Sequence, residues 1–241
     1  MKVAFFDLDG TLLDGDTDVM WSHVLTSKGV FSAEAADEFQ RAYSSGQHDA
    51  AGFVARFLAP IRDCGLDKCT EWREETLRQH VIPHLSQKII HELNSHRALG
   101  HELVLATATN EFLVAPIAAH LAIGEVLASP AERVAGDYTG LIGGAPCFKE
   151  EKLRRARAWV EERGHSWSST ETWFYSDSRH DLPLLSAVTH PIAVSPDDEL
   201  AAHAVREAWP VVSIHSGEPT STLDKPEHSS TSDSSSDDSP R

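Results

Sequence analysis

The chemistry of this chain begins with two carboxylates two residues apart, Asp7 and Asp9, in the stretch Asp7-Leu8-Asp9-Gly10-Thr11. The apolar run 3–6 before them reads as a buried strand, and Gly10 with Thr11 suits a tight turn. Residues i and i+2 of a strand face the same side. Asp7 and Asp9 are therefore expected to converge at the carboxyl end of that strand, where open α/β sheets bind ligands. Two like charges in one place call for a positive charge between them, and an oxygen-only donor set favours Mg²⁺. One carboxylate can attack a phosphoryl group to give an acyl-phosphate, the second can protonate the leaving oxygen and later activate water, and a metal can screen their mutual repulsion. The plainer alternative is a strand that ends in two solvated aspartates.

Three further stations repeat this logic. Ala106-Thr107-Ala108-Thr109-Asn110 ends a strand and opens a helix, so Thr107, Ala108 and free backbone amides can form an anion site; an ordinary Thr/Asn cap is the alternative. Phe148-Lys149-Glu150-Glu151-Lys152 starts another helix, and either Lys149 or Lys152 could neutralise a transferred phosphoryl group. Trp173-Phe174-Tyr175-Ser176-Asp177-Ser178-Arg179-His180-Asp181 is again an apolar strand that delivers carboxylates to its end. There Asp177 could complete a metal's ligand set, and Asp181 could orient metal-bound water or the lysine.

These stations need elements to hold them. Strands are expected at 3–6, 101–107, 126–129, 172–176, 192–195 and 211–214, with a hairpin over 132–142. Helices are expected at 110–121, 150–162 and 182–188, and after 195 with Ser195 as cap and Pro196 in the first turn. Between the first and second strands the chain reads helical throughout, at 17–28, 33–44, 49–59, 66–79 and 84–99, the last ended by Gly100. Asp16 or Thr17 can cap the first of these. Alternating strands and helices imply a parallel sheet covered on both faces, so the fold class is α/β: a doubly wound parallel sheet with a helical insert after strand 1. From 216 to 241 the composition collapses to Ser, Thr, Asp, Glu and Pro, which reads as a disordered acidic tail.

The 241 residues carry 37 acidic and 21 basic side chains, a net charge of −16. That disfavours nucleic acid and anionic membranes as general partners. Cys64, Cys69 and Cys147 have no metal-ligand spacing and read as reduced thiols of a cytoplasmic protein. No 18-residue apolar run is present, so no stable membrane association is expected.

Together these motifs resemble the haloacid dehalogenase superfamily, whose D-x-D-x-T opening is Asp7 to Thr11, over about residues 1–214. The all-helical insert is similar to the cap of subfamily IB, and the longer motif stretches look like its phosphoserine phosphatase-like branch, nearest the histidinol-phosphatase and phosphatidylglycerophosphatase relatives. The resemblance implies a Rossmann-like core at 1–15 and 85–215 and a helical cap at 16–84. It implies Asp7 as nucleophile and metal ligand, and Asp9 as general acid/base with its carbonyl on Mg²⁺. Thr107 and nearby amides would hold the phosphate, Lys152 would pair with it, and Asp177 and Asp181 would lie on the metal side. Asp16 falls where the branch carries an acidic residue that reads a substrate amino group, and a helix cap fits it equally. Arg56 is a second candidate for substrate readout in the cap. One departure is His180, where the branch has Asn.

The expectation is thus a Mg²⁺-dependent phosphomonoesterase acting on a small phosphorylated metabolite through an aspartyl-phosphate, histidinol phosphate ahead of phosphoserine. The rivals are a phosphatidylglycerophosphate-type lipid phosphatase and a non-catalytic phosphometabolite-binding protein weakened by His180.

Overall fold

The computed structural model describes residues 1–32, 34 and 49–214. The expected helix at 33–44 and the tail 216–241 lie outside these residues, apart from Glu34. β1 (Lys2–Phe6) is the centre of a six-stranded sheet completed by β2 (Glu102–Asn110), β3 (Glu125–Ser129), β6 (Glu171–Ser176), β7 (His190–Val194) and β8 (Val211–Val212). The strand order is β3-β2-β1-β6-β7-β8, and every neighbouring pair is parallel. The order reverses direction at β1, the switch point at which such sheets open a crevice at their carboxyl ends.

Register follows burial. Phe5 lies opposite Val104 and Phe174, and Phe6 opposite Leu105 and Tyr175. Because side chains alternate across a strand, Phe6, Leu105 and Tyr175 face one layer of helices and Phe5, Val104 and Phe174 the other. The first layer is α4 (Gln87–Ala98) and α5 (Glu111–His120), through Ile89, Leu93, Val114 and Ile117. The second holds α6 (Glu150–Glu162), the short α7 (Leu182–Leu185) and α8 (Asp198–Arg206), through Trp159, Val160, Leu184 and Leu200.

Caps set where the helices begin. Ser86 accepts from the Ile89 amide at 3.4 Å and Asn110 from the Leu113 amide at 3.1 Å. The chain leaves α4 through Gly100, whose φ of 72° is the left-handed conformation that closes a helix. Two boundaries differ from expectation. Ser195 is not the cap of α8, because its amide donates to the Val212 carbonyl at 2.7 Å and so extends the sheet edge. The cap is Asp197, which accepts from the amides of Glu199 at 3.1 Å and Leu200 at 2.8 Å. The helix expected over 182–188 closes after Leu185, since β7 already begins at His190.

The helical insert contains α1 (Thr17–Ser27), α2 (Ala50–Cys64) and α3 (Leu66–Thr76), and returns to α4 through a wide turn at Leu77–Val81. Trp21, Val24 and Leu25 of α1 pack with Val54, Phe57, Leu58 and Ile61 of α2 and with Phe112 and Ala131 of the core. The hairpin of β4 (Ala131–Val134) and β5 (Asp137–Ile142) is not part of the main sheet. It lies against α2 so closely that a Cβ on Gly140 would stand 2.7 Å from the Arg62 backbone nitrogen. The roof over the sheet is therefore built from two separate stretches of sequence.

Candidate active site

Asp7 follows β1 directly, and its amide donates to the Tyr175 carbonyl at 3.0 Å, which prolongs the ladder by one residue. The chain then turns rather than continuing as a strand. Leu8 is buried in the core, and Gly10 adopts φ 69°. A Cβ on Gly10 would overlap the Asp177 carboxylate, so only glycine allows this loop to wrap the end of β6. Thr11 Oγ1 closes the turn by donating to Asp177 Oδ1 at 3.3 Å.

The turn brings Asp7 and Asp9 to one cleft of about 130 Å³, which is also lined by Asp16, Thr107, Ala108, Lys152, Asp177, His180 and Asp181. The carboxylate candidates read from the sequence, with Thr107, Ala108 and Lys152, thus lie on this cleft. Arg56 does not line it; its guanidinium sits over the Phe31 ring at 5.4 Å. Of the two lysines, Lys152 enters the cleft, whereas the Lys149 ammonium lies over the Phe148 ring at 5.2 Å. Asp16 caps α1 by accepting from the Val19 amide at 2.8 Å and lines the cleft as well.

Lys152 is buried, with Nζ 3.2 Å from Asp7 Oδ1 and 2.8 Å from the Asp181 carboxylate. Burial works against its charge, but Asp181 and Asp7 outweigh that and hold its pKa above the ordinary lysine range. Ser176 Oγ also donates to Asp181 at 2.7 Å. Asp181 therefore anchors the lysine. Among the described residues no cation forms a salt bridge with Asp177, which accepts a hydrogen bond from Thr11 Oγ1.

Asp9 occupies a different shell. Its carboxylate accepts from the Thr17 amide and hydroxyl, both at 2.6 Å, and from Thr109 Oγ1 at 2.6 Å. These donors join β1 to α1 and β2. The sequence offers Thr17 only as a helix cap, a place that Asp16 takes, and does not single out Thr109 or Ser176 for the site, although Thr109 lies inside the motif after β2. Hydroxyls carry no charge pattern, and only the folded loop shows which carboxylate each one meets.

Burial dominates the electrostatics. It pushes the pKa of Asp7 well above the usual carboxylate range, with Lys152 opposing and Asp181, Asp177 and Asp9 adding to the rise. Asp9 is raised by burial and partly restored by its Thr109 and Thr17 hydrogen bonds. Asp177 is pushed up to about 7, by burial first and then by Asp181. Among the described residues six aspartates line the cleft with one lysine, a charge imbalance that a hard cation on oxygen donors would correct.

The family model for haloacid dehalogenase-like hydrolases matches residues 4–186. The chain belongs to that family. Among curated relatives, a histidinol-phosphatase of Neisseria meningitidis serogroup C is 37% identical over 219 residues, covering 88% of this chain and 99% of its own. A phosphoserine phosphatase of Mycobacterium tuberculosis is 27% identical over 215 residues, covering 86% of this chain and 69% of its own. Among solved structures, a protein of unknown function from Bordetella pertussis Tohama I superposes with a TM-score of 0.82 at 35% identity, covering 88% and 98% of the two chains. A substrate-bound phosphoserine phosphatase superposes with a TM-score of 0.62 at 14% identity, covering 88% and 92%, which speaks for the haloacid dehalogenase-like fold.

Proposed function

We propose that this haloacid dehalogenase-like hydrolase is a Mg²⁺-dependent phosphomonoesterase that works through an aspartyl-phosphate, with histidinol phosphate as substrate. At the coarser level it is a phosphoric monoester hydrolase, given its family and its phosphatase-named relatives. The observation that carries the finer reading is the pairing of Asp7 with Lys152 at the cleft floor, 3.2 Å apart, with Asp9 on the same cleft and bonded elsewhere.

The residues divide the work as follows. Asp7 attacks phosphorus, and the ester oxygen leaves with a proton from Asp9. Asp9 then takes a proton from water, which attacks the acyl-phosphate, releases inorganic phosphate and restores Asp7. Lys152 offsets charge on the transferred group, and Asp181 with Ser176 holds the lysine in place. Thr107 and Ala108 face the phosphoryl oxygens. Mg²⁺ would be held by Asp7, Asp177 and the Asp9 carbonyl, and when bound it supplies charge neutralisation between nucleophile and phosphate. Asp177 fits this role, since it lines the cleft and no salt bridge among the described residues engages it.

In this reading residues 16–84 are the cap, and 1–15 with 85–215 the core. The substrate guess rests on the 37% identical relative, which bears the name histidinol-phosphatase over nearly its whole length. The cysteines are free, which suits a cytoplasmic enzyme. No helix among the described residues is long and apolar enough to cross a membrane.

The deciding experiment is phosphate release from histidinol phosphate, phosphoserine and phosphatidylglycerophosphate, with and without Mg²⁺. Metal-dependent turnover of histidinol phosphate, lost by roughly 10⁴- to 10⁶-fold in Asp7→Asn, is the expected result. Turnover that survives in Asp7→Asn would remove the covalent mechanism. Hydrolysis of none of the three would return the chain to the binding-protein reading.

A further inference from the structure

At the end of β3, Ser129 is fully buried and bonded in two directions. Its Oγ accepts from the Cys147 amide at 3.0 Å and donates to the Ala108 carbonyl. A serine hydroxyl has one proton, and an amide N–H cannot receive it, so that proton lies on the Ala108 side. The Ala108 carbonyl and the Thr109 amide belong to one planar peptide, and the Thr109 amide donates to Thr107 Oγ1 at 3.1 Å. Thr107 Oγ1 is thus an acceptor on that side. Among the described residues it meets no acceptor for its own proton. The direction of every bond is therefore fixed, from the Cys147 amide through Ser129 and the 108–109 peptide to Thr107. The Thr107 hydroxyl proton is left for the cleft that this residue lines.

We propose that Ser129 is a positioning residue for the hydrolysis, which aims the Thr107 hydroxyl at the transferred phosphoryl group by pinning the 108–109 peptide. This deepens the phosphatase reading and rests on it. Ser129 acts through Thr107, since it is fully buried and does not line the cleft. Without its hydroxyl the 108–109 peptide is free to rotate, the Thr109 amide leaves Thr107 Oγ1, and the Thr107 proton is no longer held towards the phosphate. Lys152 is braced separately. Arg155, one turn further along α6, donates to the carbonyls of Ala128 at 2.7 Å and Ala145 at 2.5 Å, and its Nε donates to Glu151 at 2.9 Å. That brace ties the end of β3 to the loop before α6, where Lys149 holds φ 52°, a conformation costly for a residue with a Cβ and kept only by its surroundings. Loss of the Ser129 hydroxyl therefore leaves the lysine held and releases the threonine.

The test is a double-mutant cycle on kcat/KM in Mg²⁺, with whichever of histidinol phosphate, phosphoserine and phosphatidylglycerophosphate the wild type hydrolyses fastest. The proteins are the wild type, Ser129→Ala, Thr107→Ala and the double variant. Ser129→Ala should lower kcat/KM about threefold to tenfold, the scale of one hydrogen bond. In the Thr107→Ala background the same change should cost less than about twofold, since no hydroxyl is left to aim. A residue that only supported the fold would cost the same factor in both backgrounds. Equal losses, or no loss in Ser129→Ala, overturn the proposal and leave the phosphatase reading standing. A neutron structure of the wild type needs no variant and answers the same question should Ser129→Ala fail to fold. The Ser129 deuterium should lie towards the Ala108 oxygen and that of Thr107 towards the cleft, and either one placed elsewhere overturns the proposal. A wild type that hydrolyses none of the three esters in Mg²⁺ removes the phosphatase reading, and this proposal with it.

Discussion

Lys152 shows how single residues divide the work of the site. Its ammonium touches two carboxylates, Asp7 at 3.2 Å and Asp181 at 2.8 Å, to which the proposed mechanism gives different tasks, attack on the substrate for Asp7 and support of the lysine for Asp181. Breaking a buried ion pair by removing one partner leaves uncompensated charge and costs about 3–5 kcal/mol. Lys152→Met is therefore expected to lower both the melting temperature and turnover. Adding Asp181→Asn should restore part of the stability but not the activity, because the charge offset at Asp7 stays absent. Thermal melts and phosphate release on the single and double variants check this, and equal recovery of both quantities would contradict the division of labour. The acidic stations could be read at this scale because carboxylates at strand ends form a pattern in the chain itself. The choice between Lys149 and Lys152 could not, since it depends on which face of α6 turns inward.

At the scale of elements, the parallel sheet followed from the alternation of apolar runs with helix patterns, and nearly every expected strand appears within a few residues. The hairpin β4–β5 was legible as a hairpin, but its position was not. No local signal says that it leaves the main sheet and packs on α2, a contact between residues some 80 positions apart in the chain. Gly140 makes the contact possible, through its φ of 83° and the closeness of the Arg62 and Leu58 backbones. A side chain there meets both backbone strain and overlap with main-chain atoms that cannot rotate away. Gly140→Val is expected to push the hairpin off α2, which carries Ala50, Phe53 and Val54 on the cleft wall. The consequence should be a KM several-fold higher with a smaller change in kcat, since the residues on β1, β2 and β6 stay in place. Steady-state kinetics on the variant measure this directly, and a fall in kcat at constant KM would mean that the hairpin supports the chemistry instead.

At the scale of the whole molecule, two buried titrating centres lie at different places along the sheet and act on stability in opposite directions. One is His96 on α4, which meets the Tyr175 hydroxyl at 3.0 Å and the His101 ring at 2.8 Å. Glu92 also faces this cluster through Tyr175, and His190 stacks on the far side of Trp173. Burial, with the charges of His101 and His190, lowers the pKa of His96 from 6.5 to about 3. Between those values the unfolded chain binds a proton that the folded chain refuses. Stability therefore falls on acidification through that window, by up to about 1.4 kcal/mol per pH unit. The other centre is the carboxylate cluster of the cleft. Asp177 is raised from 3.8 to about 7, so without metal the folded chain keeps a proton that the unfolded chain has lost, and stability declines as pH rises from about 4 to 7. Both slopes enter one melting curve and partly cancel, so melting temperature against pH does not separate them. The difference between melts in Mg²⁺ and in EDTA does, because His96 contributes equally to both. That difference should be near zero at pH 4, where Asp177 is protonated in the fold, and should grow towards pH 7 and above as the site ionises. At a hundredfold excess over its dissociation constant a ligand adds about 2.7 kcal/mol, and a chain of this size gains about 2–4 °C per kcal/mol, so roughly 5–10 °C is expected at neutral pH. A difference that stays flat across the range would mean that the carboxylate cluster takes no metal, and the surplus charge around Lys152 would then need another partner.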